Sequence, residues 1–217
     1  MYSRADHMVY QTDMARECFP RYLQKHSTVI ANPISSKLPM RYEGKKLKKI
    51  VAVGRLEEQK NYVMMLNAFS EFYKKHTDYK LHIYGKGYLE DSLKDLAEHL
   101  NISNSIVWEG FCKNVWNEIK DATMYLLSSD FEGISNSMLE ALGLGLPVIS
   151  TDCPIGGSRM CITDRENGIL VPVGDAVKLA DAMCELVENK EFADAIANEA
   201  YKIRDRFSEE NISNQWL

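Results

Sequence analysis

Hydrophobic and polar positions alternate between two periods along most of this chain. From residue 47 onward, short β-branched or apolar runs come one after another: LKKIVAVG (47–54), YKLHIYG (79–85), SIVWEGF (105–111), TMYLLSS (123–129), LPVISTD (146–152) and NGILVPV (167–173). Each reads as a strand. Between them lie segments with apolar residues at helical spacing. In NYVMMLNAFSEFYKKH (61–76) these are Val63, Leu66, Phe69, Phe72 and Tyr73. YLEDSLKDLAEHL (88–100) is a second such helix, a short one fits 114–121, another begins near Ser137, and 175–208 reads as two. Repeated strand–helix alternation predicts an α/β fold: a mainly parallel, Rossmann-like sheet of about six strands with helices on both faces. The wholly apolar runs TMYLLSS and LPVIS suit buried strands of such a sheet.

Residues 1–46 break the pattern. They predict a short helix, a strand at STVIAN and a Pro-containing linker that ends in the polar, basic KLPMRYEGKKLKK. We expect 1–46 to be the tail of a preceding domain plus linker, 47–208 the Rossmann-like domain, and 209–217 the start of a truncated C-terminal helix. MYSRADHMVYQTDM has no apolar signal core and reads as the continuation of a longer chain.

Composition narrows the function. A chain of 217 residues with 45% hydrophobic content can build a core without disulfide staples. Its 26 basic and 31 acidic residues give a net charge of −5, which argues against a general nucleic-acid binder. The five cysteines are odd in number and form no Cys-x-x-Cys pair, as expected of a reduced, cytoplasmic protein. No run approaches the roughly 20 apolar residues of a membrane span.

In an open α/β sheet, ligands bind at the carboxyl ends of the strands. Gly54-Arg55, Gly85-Lys86-Gly87, Gly110-Phe111 and Ser128 to Ser137 fall at those ends. Gly54 lets the chain turn, and Arg55 with Lys60 offers two cations suited to a diphosphate, or two solvated charges. Gly85-Lys86-Gly87 is a GxG without the third Gly of the dinucleotide fingerprint, and no P-loop motif occurs. Glu132 and Glu140 flank a Ser-Asn-Ser run, with Glu132 in a loop and Glu140 in the following helix. Ser137-x-x-Glu140 matches a capping box, while the amides of 136–139 also form an anion site at a helix start. Glu140 is therefore either a cap or an acceptor for a ribose diol. Asp130-x-Glu132 resembles a short acidic metal motif, but a hard cation needs further acidic ligands, and Arg55 and Lys60 supply the same neutralisation. His7, His26, His76 and His99 have no metal-ligand spacing, and no G-x-S-x-G elbow occurs.

Taken in order, VAVGRLEEQKN, LHIYGKG, VWEGF, LLSSDFEGISNSMLEALGLGLPVISTDCPIGG and NGILVPVGD resemble the C-terminal domain of the GT-B, family-4-type retaining glycosyltransferases, the glycosyl transferases group 1. The likeness covers about residues 50 to 175. It implies one half of a GT-B fold that binds a nucleotide diphosphate sugar, UDP-sugar by default because such donors are common there. It implies retaining, metal-independent transfer to an acceptor hydroxyl in polysaccharide or glycolipid synthesis, with no cofactor beyond the substrate. By the same resemblance Arg55 and Lys60 hold the diphosphate, Glu132 holds donor-sugar hydroxyls, and the backbone of Gly133, Ile134, Ser135, Asn136 and Ser137 approaches sugar and phosphate. Glu140 takes the ribose, Tyr84, Gly85 and Phe111 lie around the base, and Gly54 is a further donor-binding position. The partners implied are the N-terminal GT-B domain of the same protein and an acceptor saccharide or lipid-linked saccharide. The full-length form is expected in the cytoplasm, peripheral at the inner membrane face, and this chain alone is expected to bind nucleotide weakly and transfer little. Where family members often continue Cys-Pro-x-Gly-Gly with Pro, Ser158-Arg159 stand here, which leaves the shape of that loop open. The competing classes are a non-catalytic nucleotide-sugar module, a GT-B-shaped epimerase and a regulatory Rossmann domain.

Overall fold

The computed structural model describes residues 5–217; residues 1–4 of the expected N-terminal tail lie outside the described residues. In chain order come strand β1 (Met8–Tyr10), helices α1 (Asp13–Glu17) and α2 (Arg21–Gln24), and strand β2 (Ser27–Val29). Then follow β3 (Lys49–Val53), α3 (Tyr62–Tyr73), β4 (Lys80–Tyr84), α4 (Glu90–His99), β5 (Ile106–Gly110), α5 (Val115–Ile119), β6 (Met124–Leu127) and α6 (Asn136–Gly143). The chain closes with β7 (Val148–Thr151), α7 (Gly157–Cys161), β8 (Ile169–Val171), α8 (Ala176–Glu188), α9 (Lys190–Tyr201), α10 (Ile203–Arg206) and α11 (Glu209–Ser213).

Six parallel strands form one sheet in the order β5-β4-β3-β6-β7-β8, and β1 and β2 pair in a separate parallel ribbon. The strand order reverses between β3 and β6, and such a switch point opens a crevice at the carboxyl ends of those two strands. β6 and β7 are buried at every position, as sheet covered on both faces requires. One face packs α3, α4 and α8 over Ile50, Leu81, Ile83 and Leu126; the other packs α6 and α10 over Val51, Tyr125, Leu127 and Val148.

Some expectations need correction. Val63, placed by periodicity on the buried stripe of α3, is 50% exposed. The stripe instead runs through Met64, Met65, Ala68, Phe69 and Phe72, because α3 packs on the sheet and α8 together. Residues 175–208 hold three helices rather than two, since the chain breaks again at Lys202 between α9 and α10. β1 holds two strand-favouring residues, Val9 and Tyr10, but is too short to show a period, and its pairing with β2 makes it a strand. The segment after β2 packs Ile30, Ile34 and Leu38 into the α6 face, and Arg204 donates to the carbonyls of Leu38, Pro39 and Gly143.

Candidate donor site at the carboxyl ends of the strands

Three glycines form a row across the ends of β3, β4 and β5. Gly54 N donates to Tyr84 O at 2.9 Å, and Gly85 N donates to Gly110 O at 2.7 Å. A Cβ on Gly85 would collide with the Gly54 carbonyl, so the backbones approach as only glycine permits. The resulting floor carries a pocket of about 300 Å³ lined by Val53, Gly54, Tyr84, Gly85, Lys86 and Phe111, with Arg55 at its edge. Phe111 is 76% exposed, a flat apolar ring with nothing packed over most of it. Tyr84 is buried, and burial pushes its hydroxyl pKa up, so it stays neutral.

Next to this floor, the turn after β3 and the loop after β6 are bolted together. Asn61, left-handed at φ 43°, caps α3 by accepting from Met64 N at 3.0 Å, and its amide donates to Asp130 Oδ1 at 2.6 Å. Ser128 donates to the Lys60 carbonyl at 2.7 Å. Gln59 donates to Phe131 O, and Asp130 N donates to Gln59 O, both at 2.9 Å. These bonds hold the Lys60 ammonium directly on the Glu132 carboxylate, with both side chains largely buried and Ser129 donating to Glu132 at 3.2 Å. Arg55 differs: its guanidinium pairs with Glu57 at 3.1 Å and is 69% exposed, free to swing. Asp130 accepts the Asn61 amide through Oδ1, and Glu132 accepts Lys60.

The start of α6 differs from the expectation. Ser135, not Ser137, is the N-cap, accepting from Met138 N at 3.5 Å. Ser137 has been taken by tertiary partners: Tyr125 donates to its Oγ at 2.8 Å, and Ser137 donates to Val53 O at 3.1 Å. The capping box of Ser137 and Glu140 is therefore absent, and Glu140 sits in the second turn. Half-buried, it is pushed by desolvation above the usual carboxylate range, partly offset by a hydrogen bond from Trp116. Ile134 turns its side chain into the core, so only its backbone faces the loop, while Gly133 and Asn136 stay accessible.

The loop after β7 completes the rim. Glu132 N donates to Pro154 O at 3.3 Å, and Gly157 lies so close to the Gly133 carbonyl that no Cβ would fit. Where Ser158-Arg159 replace the expected Pro, Ser158 is buried with its Oγ 2.8 Å from that of Ser150, and Arg159 pairs with Asp152. The turn is thus fixed by side-chain bonds.

Sequence reasoning missed Gln59, Asn61 and Trp116. Asn61 had a signal, an Asn directly before an apolar helical run; the others are set by tertiary contacts. It also missed that His76 approaches Cys184 and Glu188, at the far end of α3. There His76 Nε2 lies 3.0 Å from the Glu188 carboxylate, while burial raises the Cys184 pKa and favours the neutral thiol over a metal-binding thiolate.

Residues 40–203 match the family model described as "Glycosyl transferases group 1". An uncharacterized glycosyltransferase of Methanocaldococcus jannaschii is 30% identical over 194 residues, covering 76% of this chain and 48% of that protein. The poly(glycerol-phosphate) alpha-glucosyltransferase of Bacillus subtilis is 29% identical, over 77% of this chain and 25% of its own length. The chain thus spans about half or less of these curated relatives. Among solved structures, S. aureus TarM, in a variant complexed with fondaparinux, alpha-GlcNAc-glycerol and UDP, superposes with a TM-score of 0.89 at 23% identity, over 98% of this chain and 43% of that one. Anabaena HepE in complex with UDP and glucose gives 0.88 at 18%, over 98% and 62%.

Proposed function

Since the chain belongs to the glycosyl transferases group 1 family, we propose that it is the donor-binding half of a retaining, metal-independent hexosyltransferase that takes a nucleoside diphosphate sugar, UDP-sugar first. The observation that carries this reading is the convergence of Arg55, the Lys60–Glu132 pair and the start of α6 on the crevice between β3 and β6. The UDP present in the TarM and HepE structures supports the choice of nucleotide.

In this account the base rests on the glycine floor beside Phe111, and Glu140 accepts the ribose hydroxyls. The diphosphate meets the amides of Asn136 and Ser137 at the start of α6, since those of Met138 and Leu139 already bond Ser135, and the helix dipole favours an anion there. Breaking the bond from the anomeric carbon leaves negative charge on the β-phosphate. Lys60 moves from Glu132 to that phosphate, and Arg55 swings in from Glu57 to share the charge, which is electrostatic stabilisation of a leaving group. Glu132, released from Lys60, takes the sugar hydroxyls. The two cations do the work a divalent metal does elsewhere, and Glu132 is a positioning carboxylate rather than an assigned nucleophile.

The acceptor hydroxyl, of a saccharide or lipid-linked saccharide in polysaccharide or glycolipid synthesis, would come from the side of a preceding domain. Among the described residues no helix is long and apolar enough to cross a membrane. We place the whole protein in the cytoplasm, peripheral at the membrane's inner face. Calorimetry of this chain against a panel of nucleotides and nucleotide sugars, with EDTA present, tests the first step. Saturable UDP binding is expected, and no binding of any nucleotide sinks the proposal. Anomeric analysis of the full-length protein's product by NMR tests retention.

A further inference from the structure

The loop after β7 contains two consecutive left-handed residues, Ile155 at φ 78° and Gly156 at φ 73°. Glycine adopts that conformation freely. A β-branched residue does not, and it stays there only where its surroundings over-determine it. The surroundings come from the beginning of the chain. Thr12, 2% exposed, donates its hydroxyl proton to the Ile155 carbonyl, and the same oxygen accepts from Ala15 N at 3.0 Å as the cap of α1. Donor and acceptor roles are both used, so the hydroxyl has one orientation. Met14 Sδ stands 2.6 Å from where a Cβ on Gly156 would be, and Gln11 Oε1 stands 2.9 Å from the same point on Gly133. Asn32 donates to Asn136 Oδ1 at 2.9 Å. On its inner side the loop carries Pro154, whose carbonyl receives Glu132 N, and Gly157, which abuts Gly133.

We propose that Thr12 is a positioning residue for the sugar end of the donor pocket: by locking Ile155 in its left-handed conformation it sets the wall against which Glu132 and Gly133 rest. The proposal rests on the donor-site reading above. It adds that the segment ahead of β2 governs sugar placement while leaving the nucleotide floor of Gly54, Gly85 and Phe111 alone, since neither Thr12 nor Ile155 lines that floor.

Thr12→Val keeps the shape and removes the hydroxyl. In the full-length protein it should lower kcat roughly 3- to 10-fold, the range one net hydrogen bond supports, with UDP affinity within about twofold. Thr12→Ser should restore turnover. Under native conditions trypsin should cut after Arg159 faster in Thr12→Val by a similar factor, because the strained loop opens more often. Ile155→Asn, which tolerates the left-handed region, should suppress that sensitivity in the Thr12→Val background, and should rescue folding if Thr12→Val alone does not fold. Wild-type turnover and wild-type trypsin resistance in Thr12→Val overturn the proposal. So does a double variant no better than Thr12→Val, which would mean that Thr12 only caps α1. If the wild-type chain binds no UDP, the donor-site reading fails, and the trypsin comparison still decides the clamp.

Discussion

The two ends of the sheet carry pockets of opposite make. At the amino ends of the strands, Arg41, Lys45, Lys46, Lys190 and Asp194 surround a cavity of about 630 Å³, twice the size of the 300 Å³ pocket at the carboxyl ends. Its walls are long charged side chains with partners of their own: Arg41 donates to Asn198 Oδ1, and Lys46 Nζ donates to the Lys120 carbonyl at 2.8 Å. Lys46, half-buried and close to Arg41, has its pKa lowered to about 8. At the carboxyl ends, backbones meet at Gly54–Gly85 and Gly133–Gly157, and hydroxyls and amides fix each loop. The larger hole is walled by side chains, whereas the smaller one has a floor of closely approaching backbone, the more pre-organised arrangement of the two. The proposed donor site follows the switch point of the strand order rather than pocket size.

The largest effect that sharpens this contrast is on catalysis. Arg55→Ala should lower turnover of the full-length enzyme by roughly 100-fold or more, the scale of losing one transition-state charge partner. Its exposed side chain predicts an unchanged melting temperature, and wild-type turnover would remove Arg55 from the mechanism. Gly157→Ala should destabilise the chain by about 2–3 kcal/mol, the cost of overpacking, because its methyl meets the Gly133 carbonyl rather than a side chain that can yield. Denaturant unfolding would show a shifted midpoint.

A smaller effect concerns Glu140. Its carboxyl pKa is raised in the fold by desolvation, so the folded state holds the proton more tightly than the unfolded one. Stability then falls as pH rises from the unfolded value through the folded one, and the cost is fully present above the folded value. Glu140→Gln should therefore keep or slightly raise the melting temperature at neutral pH. It should weaken UDP by about tenfold, as expected for hydrogen bonds to a charged group. It should also abolish the loss of affinity that wild type shows on acidification, which should begin above the ordinary Glu range. Thermal unfolding at neutral pH checks the first, and isothermal titration across pH checks the other two. Smallest is Phe111→Ala, expected to cost about 1 kcal/mol of nucleotide affinity if the ring stacks on the base. It should leave stability untouched, since the ring is exposed.

Much of this was legible in the sequence because periodicity reports burial. β6 and β7 are apolar throughout and lie in the sheet's interior, and the glycines at strand ends mark where backbones must approach. The start of α6 was misread for a physical reason. Ser135 and Ser137 are equally good caps locally, and only the Tyr125 hydroxyl and the Val53 carbonyl, distant in sequence, remove Ser137 from the choice. The same holds for Lys60. Its role was suggested by spacing after Gly54, but its contact with Glu132 depends on Asn61, Ser128 and Gln59 joining two loops some 70 positions apart. β1 was illegible because three residues are too short a run to show a period, whatever their propensity.

The central claim is that the small pocket at the carboxyl ends binds the donor and the large one at the amino ends does not. Hydrogen exchange of this chain with and without saturating UDP tests it most directly. The account predicts added protection at 54–60, 84–87 and 132–140, with residues 41–46 and 190–198 unchanged. Protection confined to 41–46 and 190–198 would contradict it.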